Sequence, residues 1–145
     1  MHAKGHSMKA LLDTCVLSEL RNPHSTALLE KALQPFDPTD LFISVISVGE
    51  ITKGIALLAP SKRKADLKSW ATHLENSYKD RLLGIDGEIA HIWGELTSNA
   101  QKNGKTIPTA DGLIAATALA HGLHVMTRNI ADFEVTGVLI LNPWD

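Results

Sequence analysis

Four short apolar runs, separated by stretches with helical periodicity, constrain this chain more than any other feature. They are Lys9–Asp13 (KALLD), Leu41–Ile46 (LFISVI), His124–Thr127 (HVMT) and Val138–Leu141 (VLIL). Runs this short, bounded by turn residues or by helix, read as buried strands. Parallel strands need a long crossover, usually a helix, and are then covered on both faces. The predicted fold class is therefore α/β: three α/β/α layers around a central, mainly parallel sheet.

The intervening segments supply the helices. Thr14–Arg21 is a short one, ended by Asn22-Pro23, and Ser25–Leu33 has helical spacing. Ser47–Leu58 follows the second strand directly and stops near Pro60. Ser61–Leu82 is long and amphipathic, with Leu67, Trp70, Ala71, Leu74 and Tyr78 on one face. After an extended piece, Leu83–Asp86, Asp86 is placed to cap a helix over Gly87–Gln101 that turns Ile89, Ile92, Trp93, Leu96 and Ala100 inward. Thr109–His121 is rich in alanine and ends at Gly122, a residue suited to closing a helix. No repeat, low-complexity tract or interdomain linker interrupts the pattern.

Composition excludes several function classes. The 145 residues suit one domain that buries roughly 70% of its unfolded surface. No apolar run approaches the ~20 residues of a membrane span, and no secretory signal pattern is visible. A single cysteine, Cys15, rules out an internal disulfide and a cysteine-based zinc site, and fits a reducing cytoplasm. A net charge of -2 argues against binding nucleic acid through a simple basic patch, though not against a nuclease whose cation offsets the acids. Residues 1–7 (MHAKGHS) are polar and aperiodic before a second methionine, Met8, and read as an expression remnant.

Candidate chemistry lies in four carboxylates at strand-to-helix or strand-to-loop junctions: Asp13, Glu50, Asp111 and Asp132. Ligands of open α/β sheets bind beyond the carboxyl ends of the strands, so these acids are expected to converge there. Clustered acids repel unless protons or a cation lie between them, and oxygen-only ligation suits Mg2+ or Mn2+ rather than zinc. Each acid alone also has a structural explanation. Asp13 caps the following helix, and Glu50 completes a capping box with Ser47 in Ser47-Val48-Gly49-Glu50. Asp111 complements a helix dipole, and Asp132 is a solvated loop residue. Asp111 nevertheless shares its helix face with Ile114, Ala115 and Ala118, which places it at a buried or cleft-lining position.

Several segments carry a resemblance to a known family. Asp13-Thr14-Cys15-Val16-Leu17-Ser18-Glu19-Leu20, Ser47-Val48-Gly49-Glu50, Asp111-Gly112-Leu113-Ile114-Ala115-Ala116-Thr117-Ala118 and Thr127-Arg128-Asn129-Ile130-Ala131-Asp132-Phe133 resemble, in family order, the motifs of PIN domains. They are most similar to the VapC toxins of bacterial type II toxin–antitoxin modules, in the FitB-like branch. The likeness spans Met8–Asp145 as a single PIN domain and includes Trp93-Gly94 and Asn142-Pro143-Trp144. It implies an Mg2+- or Mn2+-dependent endoribonuclease, usually a homodimer, inhibited by a cognate VapB-type antitoxin. It further implies hydrolysis that leaves a 5′-phosphate and a 3′-hydroxyl. By position Asp13, Glu50 and Asp111 match the family's acidic triad and Asp132 its more variable fourth acid, while Asn129 stands where many PIN domains have another acid.

All four acids are candidate metal ligands and catalytic residues, with Asp13 and Asp111 as principal ligands. Glu50 is assigned to a water, as its holder or its base, and Asp132 to a second ion or a further water. Thr14, Ser47 and Asn129 are candidates to orient the acids. Arg21, Lys53 and Arg128 are candidate RNA phosphate contacts, whereas Lys62-Arg63-Lys64 with Lys68 reads as a solvated helix face. The five histidines beyond residue 7 show no ligand spacing, and Trp70, Trp93 and Trp144 read as core or dimer contacts. The alternative function is a catalytically silent PIN-like module that only binds RNA or protein. Phosphatase-type and receiver-type alternatives lack the acids they need, at position 15 and before Asp13 respectively.

Overall fold

The computed structural model describes residues 8–22 and 26–144. The segment read as an expression remnant, and His24, lie outside the described residues. Among the described residues five strands form one sheet: β1 (Ala10–Leu12), β2 (Leu41–Ser44), β3 (Leu82–Leu83), β4 (His124–Met126) and β5 (Ile140–Leu141). Their order is β3-β2-β1-β4-β5 and every pairing is parallel, with Ala10 beside both Leu41 and His124, and Leu12 beside Met126. Among the described residues seven helices surround it: α1 (Thr14–Leu20), α2 (Thr26–Leu33), α3 (Val45–Ala56), α4 (Lys62–Ser77), α5 (Gly87–Lys102), α6 (Thr109–His121) and α7 (Ile130–Glu134).

Strand periodicity divides the core in two. Successive side chains point to opposite faces, so Ala10, Leu12 and Met126 pack on one side with Val16, Leu17, Leu29, Ile43 and Ile51. Leu11 and Val125 pack on the other with Ile114, Ala115, Ala118 and Phe133. Helices α1 to α4 supply the first layer, and the face of α4 expected from its spacing (Leu67, Trp70, Ala71, Leu74 and Tyr78) lies against it. In the opposite layer α5 packs on α6, where Gly112 admits the Trp93 indole. A Cβ at position 112 would lie only 3.0 Å from Trp93 Cδ1.

The sheet order creates the place for a site. From β1 the chain builds outward through β2 to β3, then crosses back by α5 and α6 to β4. The gap beyond the carboxyl ends of β1 and β4 is thus a topological switch point, where such sheets bind ligands.

Local boundaries differ from expectation in four places. The second strand stops at Ser44, which caps α3 by accepting from the Ile46 amide at 3.0 Å. Ser47 is therefore inside the helix, and the predicted Ser47–Glu50 capping box does not form. The long helix ends at Ser77, followed by a 3-10 turn (Lys79–Arg81) and the two-residue strand β3, too short to show alternation. The last strand is confined to Ile140–Leu141. Finally, the segment after β4 contains α7, so Asp132 stands in the first turn of a helix rather than in a loop. Five residues cannot sustain a helix alone. Phe133, fully buried in the second core, holds α7 in place, a burial that contributes about 2–3 kcal/mol.

Among the described residues no helix is long and apolar enough to cross a membrane.

Candidate active site

Asp13 leaves β1 at the switch point and is only 3% exposed. Its amide still donates to the Met126 carbonyl across the sheet at 2.9 Å, so the strand itself sets its position. Three donors satisfy the carboxylate. The Thr14 amide bonds Oδ1 at 2.8 Å, the expected helix cap, while Thr127 Oγ1 and Cys15 Sγ reach Oδ2 at 2.8 and 3.3 Å. Burial pushes the Cys15 thiol pKa up, a hydrogen bond from the Arg128 backbone opposes this, and the Asp13 charge raises it further. Cys15 is accordingly a protonated donor to Asp13, not a thiolate nucleophile.

Glu50 lies in the second turn of α3, exposed, and is joined to Asp13 by a short relay. Thr14 Oγ1 lies 2.6 Å from Glu50 Oε1 and 2.8 Å from Ser47 Oγ. A hydroxyl carries one hydrogen and an ionised carboxylate only accepts. Thr14 thus donates to Glu50, and the buried Ser47 hydroxyl donates to Thr14. Residue 14 therefore links both acids, through its amide and its hydroxyl.

Asp111 approaches from the opposite layer, in the first turn of α6, with Ile114, Ala115 and Ala118 fully buried below it. Its pKa is raised to about 6, first by burial and then by the charges of Asp13, Asp132 and Glu50. The other three acids, Asp132 of α7 among them, thus lie near enough for their charges to act on Asp111. The helix is capped by Pro108, which offers no side-chain acceptor, so the acid supplies the only first-turn negative charge.

As an oxygen-only donor set the acids suit a hard divalent ion. Among the described residues no three His, Cys, Asp or Glu side chains are gathered closely enough to coordinate an ion together. Such an ion commonly keeps several waters and takes only one or two carboxylates directly, which fits Asp13 and Asp111 with the other two acting through water.

The remaining candidates separate clearly. Arg21 closes α1 and lines a cleft beginning at Thr14 and Glu50, and Arg63 lines it from α4. Lys53 is exposed in the last turn of α3. Arg128 stacks over Trp144, its guanidinium 3.9 Å from the ring centroid. Asn129 occupies the cap position of α7 without a side-chain capping bond, although its amide donates to Thr127 Oγ1 at 3.0 Å. Of the basic cluster, Lys62 pairs with Asp66 and Lys64 ties down the carbonyls of Ala56 and Leu58. Thr127, fully buried, was absent from the sequence-based candidates. Its only signal was a hydroxyl residue closing an otherwise apolar strand.

Comparison with known proteins agrees with this arrangement. The family profile described as PIN domain matches residues 10–138. The protein named Toxin FitB, from Neisseria gonorrhoeae, is 38% identical over 138 residues, covering 92% of this chain and 97% of its own. VapC ribonuclease Y4jK of Sinorhizobium fredii is 36% identical, covering 93% and 97%. The solved structure of FitAB bound to the IR36 DNA fragment superposes with a TM-score of 0.86 at 35% identity, over 94% of this chain and 96% of that one.

Proposed function

This chain belongs to the PIN-domain family, and from that premise we propose that it is a ribonuclease toxin of a toxin–antitoxin module, hydrolysing RNA phosphodiester bonds with Mg2+ or Mn2+. The observation that carries the reading is the setting of Asp111, half-buried at the start of α6, where burial first and then the charges of Asp13, Asp132 and Glu50 raise its pKa to about 6. A bound cation relieves that repulsion, and the names of two relatives, Toxin FitB and VapC ribonuclease Y4jK, give the activity. FitB occurs in a solved assembly called FitAB, which supports a cognate antitoxin as the partner of this chain too. We include in the proposal the homodimer implied by the family likeness.

A divalent ion held here would offset charge on the phosphate oxygens and activate a water. Asp13 and Asp111 would hold that ion, from the end of β1 and the start of α6. Thr14 and Thr127 fix the Asp13 carboxylate, so its lone pairs are aimed before substrate arrives. Glu50 keeps Oε1 engaged with Thr14. Its other oxygen, Oε2, would be left to hold a water or to act as its base. Asp132 is exposed and would support a water or a second ion. No histidine pair is required.

The test is cleavage of RNA by the purified full chain with Mg2+ or Mn2+ and with EDTA, with the ends mapped. Metal-dependent products bearing 5′-phosphates are expected. Tight metal binding without cleavage would leave the silent binding module instead. Induced expression should arrest bacterial growth, relieved by Asp13→Ala.

A further inference from the structure

A cleft of about 210 Å³ opens beside Glu50, between the end of α1, the middle of α3 and the first turns of α4. Thr14, Glu50, Arg21 and Arg63 line it, and Ile51, Ile55, Leu67 and Trp70 contribute apolar wall. We infer that this cleft is a substrate subsite, which receives the nucleotide next to the scissile phosphodiester and holds the neighbouring phosphate between Arg21 and Arg63. The inference rests on the ribonuclease reading and names where that substrate lies.

Charge gives the cleft a direction. Glu50 repels a phosphate that no cation shields, whereas the two guanidiniums attract one and can grip it bidentately. Neither Arg21 nor Arg63 has a carboxylate partner among the described residues. Position along α4 selects Arg63 from its neighbours. Lys62 is engaged with Asp66, and Lys64 with two carbonyls at the end of α3. Only the middle cation of the three lines the cleft. Size limits the occupant, because the volume falls below the roughly 300–1,000 Å³ of sites for whole small ligands. One sugar and base of a continuing chain fits that description. An apolar wall suits a base edge or ribose face. A strand running through would place one phosphate at the acids and the next at the arginines.

The experiment measures affinity for a mixed-sequence single-stranded RNA by fluorescence anisotropy, and its cleavage with Mg2+, for wild type, Arg21→Gln, Arg63→Gln, the double variant and Lys62→Gln. Both arginines are exposed, so the variants are expected to fold, which circular dichroism checks. Each arginine change should weaken RNA binding and raise KM about 3- to 10-fold, with the loss falling on KM rather than kcat. Each should lower the salt slope of binding by about one, as for a lost phosphate contact. Lys62→Gln should behave as wild type. Unchanged affinity and salt slope in the double variant would overturn the proposal, as would a loss confined to kcat. Unchanged RNA affinity with lost binding of the partner antitoxin would overturn it in favour of a protein-binding cleft. A wild type that binds RNA without cutting it would refute the ribonuclease reading, and the variants' affinities would still decide the subsite.

Discussion

Asp13 and Asp111 face one another across the switch point and have been buried on opposite terms. Asp13 is almost wholly enclosed yet receives hydrogen bonds from Thr14, Thr127 and Cys15. Asp111 is half-buried at a helix start, and burial and three like charges push its pKa to about 6. The difference teaches which acid is part of the fold and which is held in readiness. A strand end offers adjacent backbone and a neighbouring strand's hydroxyl as donors. The first turn of a helix packed on apolar residues offers only its dipole.

The largest expected effect is that of Asp13→Ala. It removes a principal ion ligand and orphans the donors that served it. Cleavage should fall by about 10³-fold or more, since several kcal/mol of transition-state stabilisation are lost at ~1.4 kcal/mol per decade. Unfolding in urea should show a loss of about 1–3 kcal/mol from the unmet buried groups. If Asp13→Ala were as stable as wild type, the contrast with Asp111 would collapse.

Asp111→Asn should match that loss of cleavage but move metal-free stability the other way. A carboxyl raised from about 3.9 unfolded to about 6 folded stabilises fully below the lower value. That contribution is lost as pH rises between the two, leaving an ionised, repelled group above them. Metal-free wild type should therefore lose stability from pH 4 to 7 relative to Asp111→Asn, measured as Tm across that range. Mg2+ should raise the Tm of wild type more than that of the variant. A destabilised Asp111→Asn at pH 7 would make this acid structural.

Thr127→Val tests the hydroxyl that fixes Asp13. A buried acceptor loses a donor, so stability should fall by about 1–3 kcal/mol, and metal affinity or cleavage by roughly 10- to 100-fold, as for groups supporting a metal ligand. Equal cleavage in Thr127→Val would show that the Thr14 amide suffices. The smallest effect is expected from Arg128→Gln, which removes the exposed cation over the Trp144 ring and leaves Trp144 packed on the first core cluster. Such a contact contributes about 0.5–1 kcal/mol when exposed, readable as a slight fall in Tm with cleavage reduced no more than severalfold.

Patterned side chains over several turns or along a buried strand were legible without coordinates. The apolar runs announced four of the five strands, the face of α4 was read residue by residue, and Gly122 adopts the left-handed conformation expected of a helix stop, with φ 67°. The family motifs placed the acids in order. Short elements were not legible. Leu82–Leu83 has too few residues to alternate, and α7 depends on Phe133 finding the second core. For Glu50 the structural alternative was a cap with Ser47, because local sequence offers that partner. Burial of Ser47 within α3 gave the cap to Ser44 instead and turned Glu50 towards Thr14.

What the sequence determined by itself was alternation, and with it a parallel sheet whose carboxyl ends carry the acids, because hydrophobic period and chain order are local properties. Tertiary structure alone decided how those acids differ. Residues 13 and 127 meet through a hydrogen bond across 114 positions, and Asp111 is perturbed by charges from three other segments. Hydrogen bonding and Coulomb repulsion act through space over a few ångströms, so only the sheet order that brings β1 beside β4 could set them.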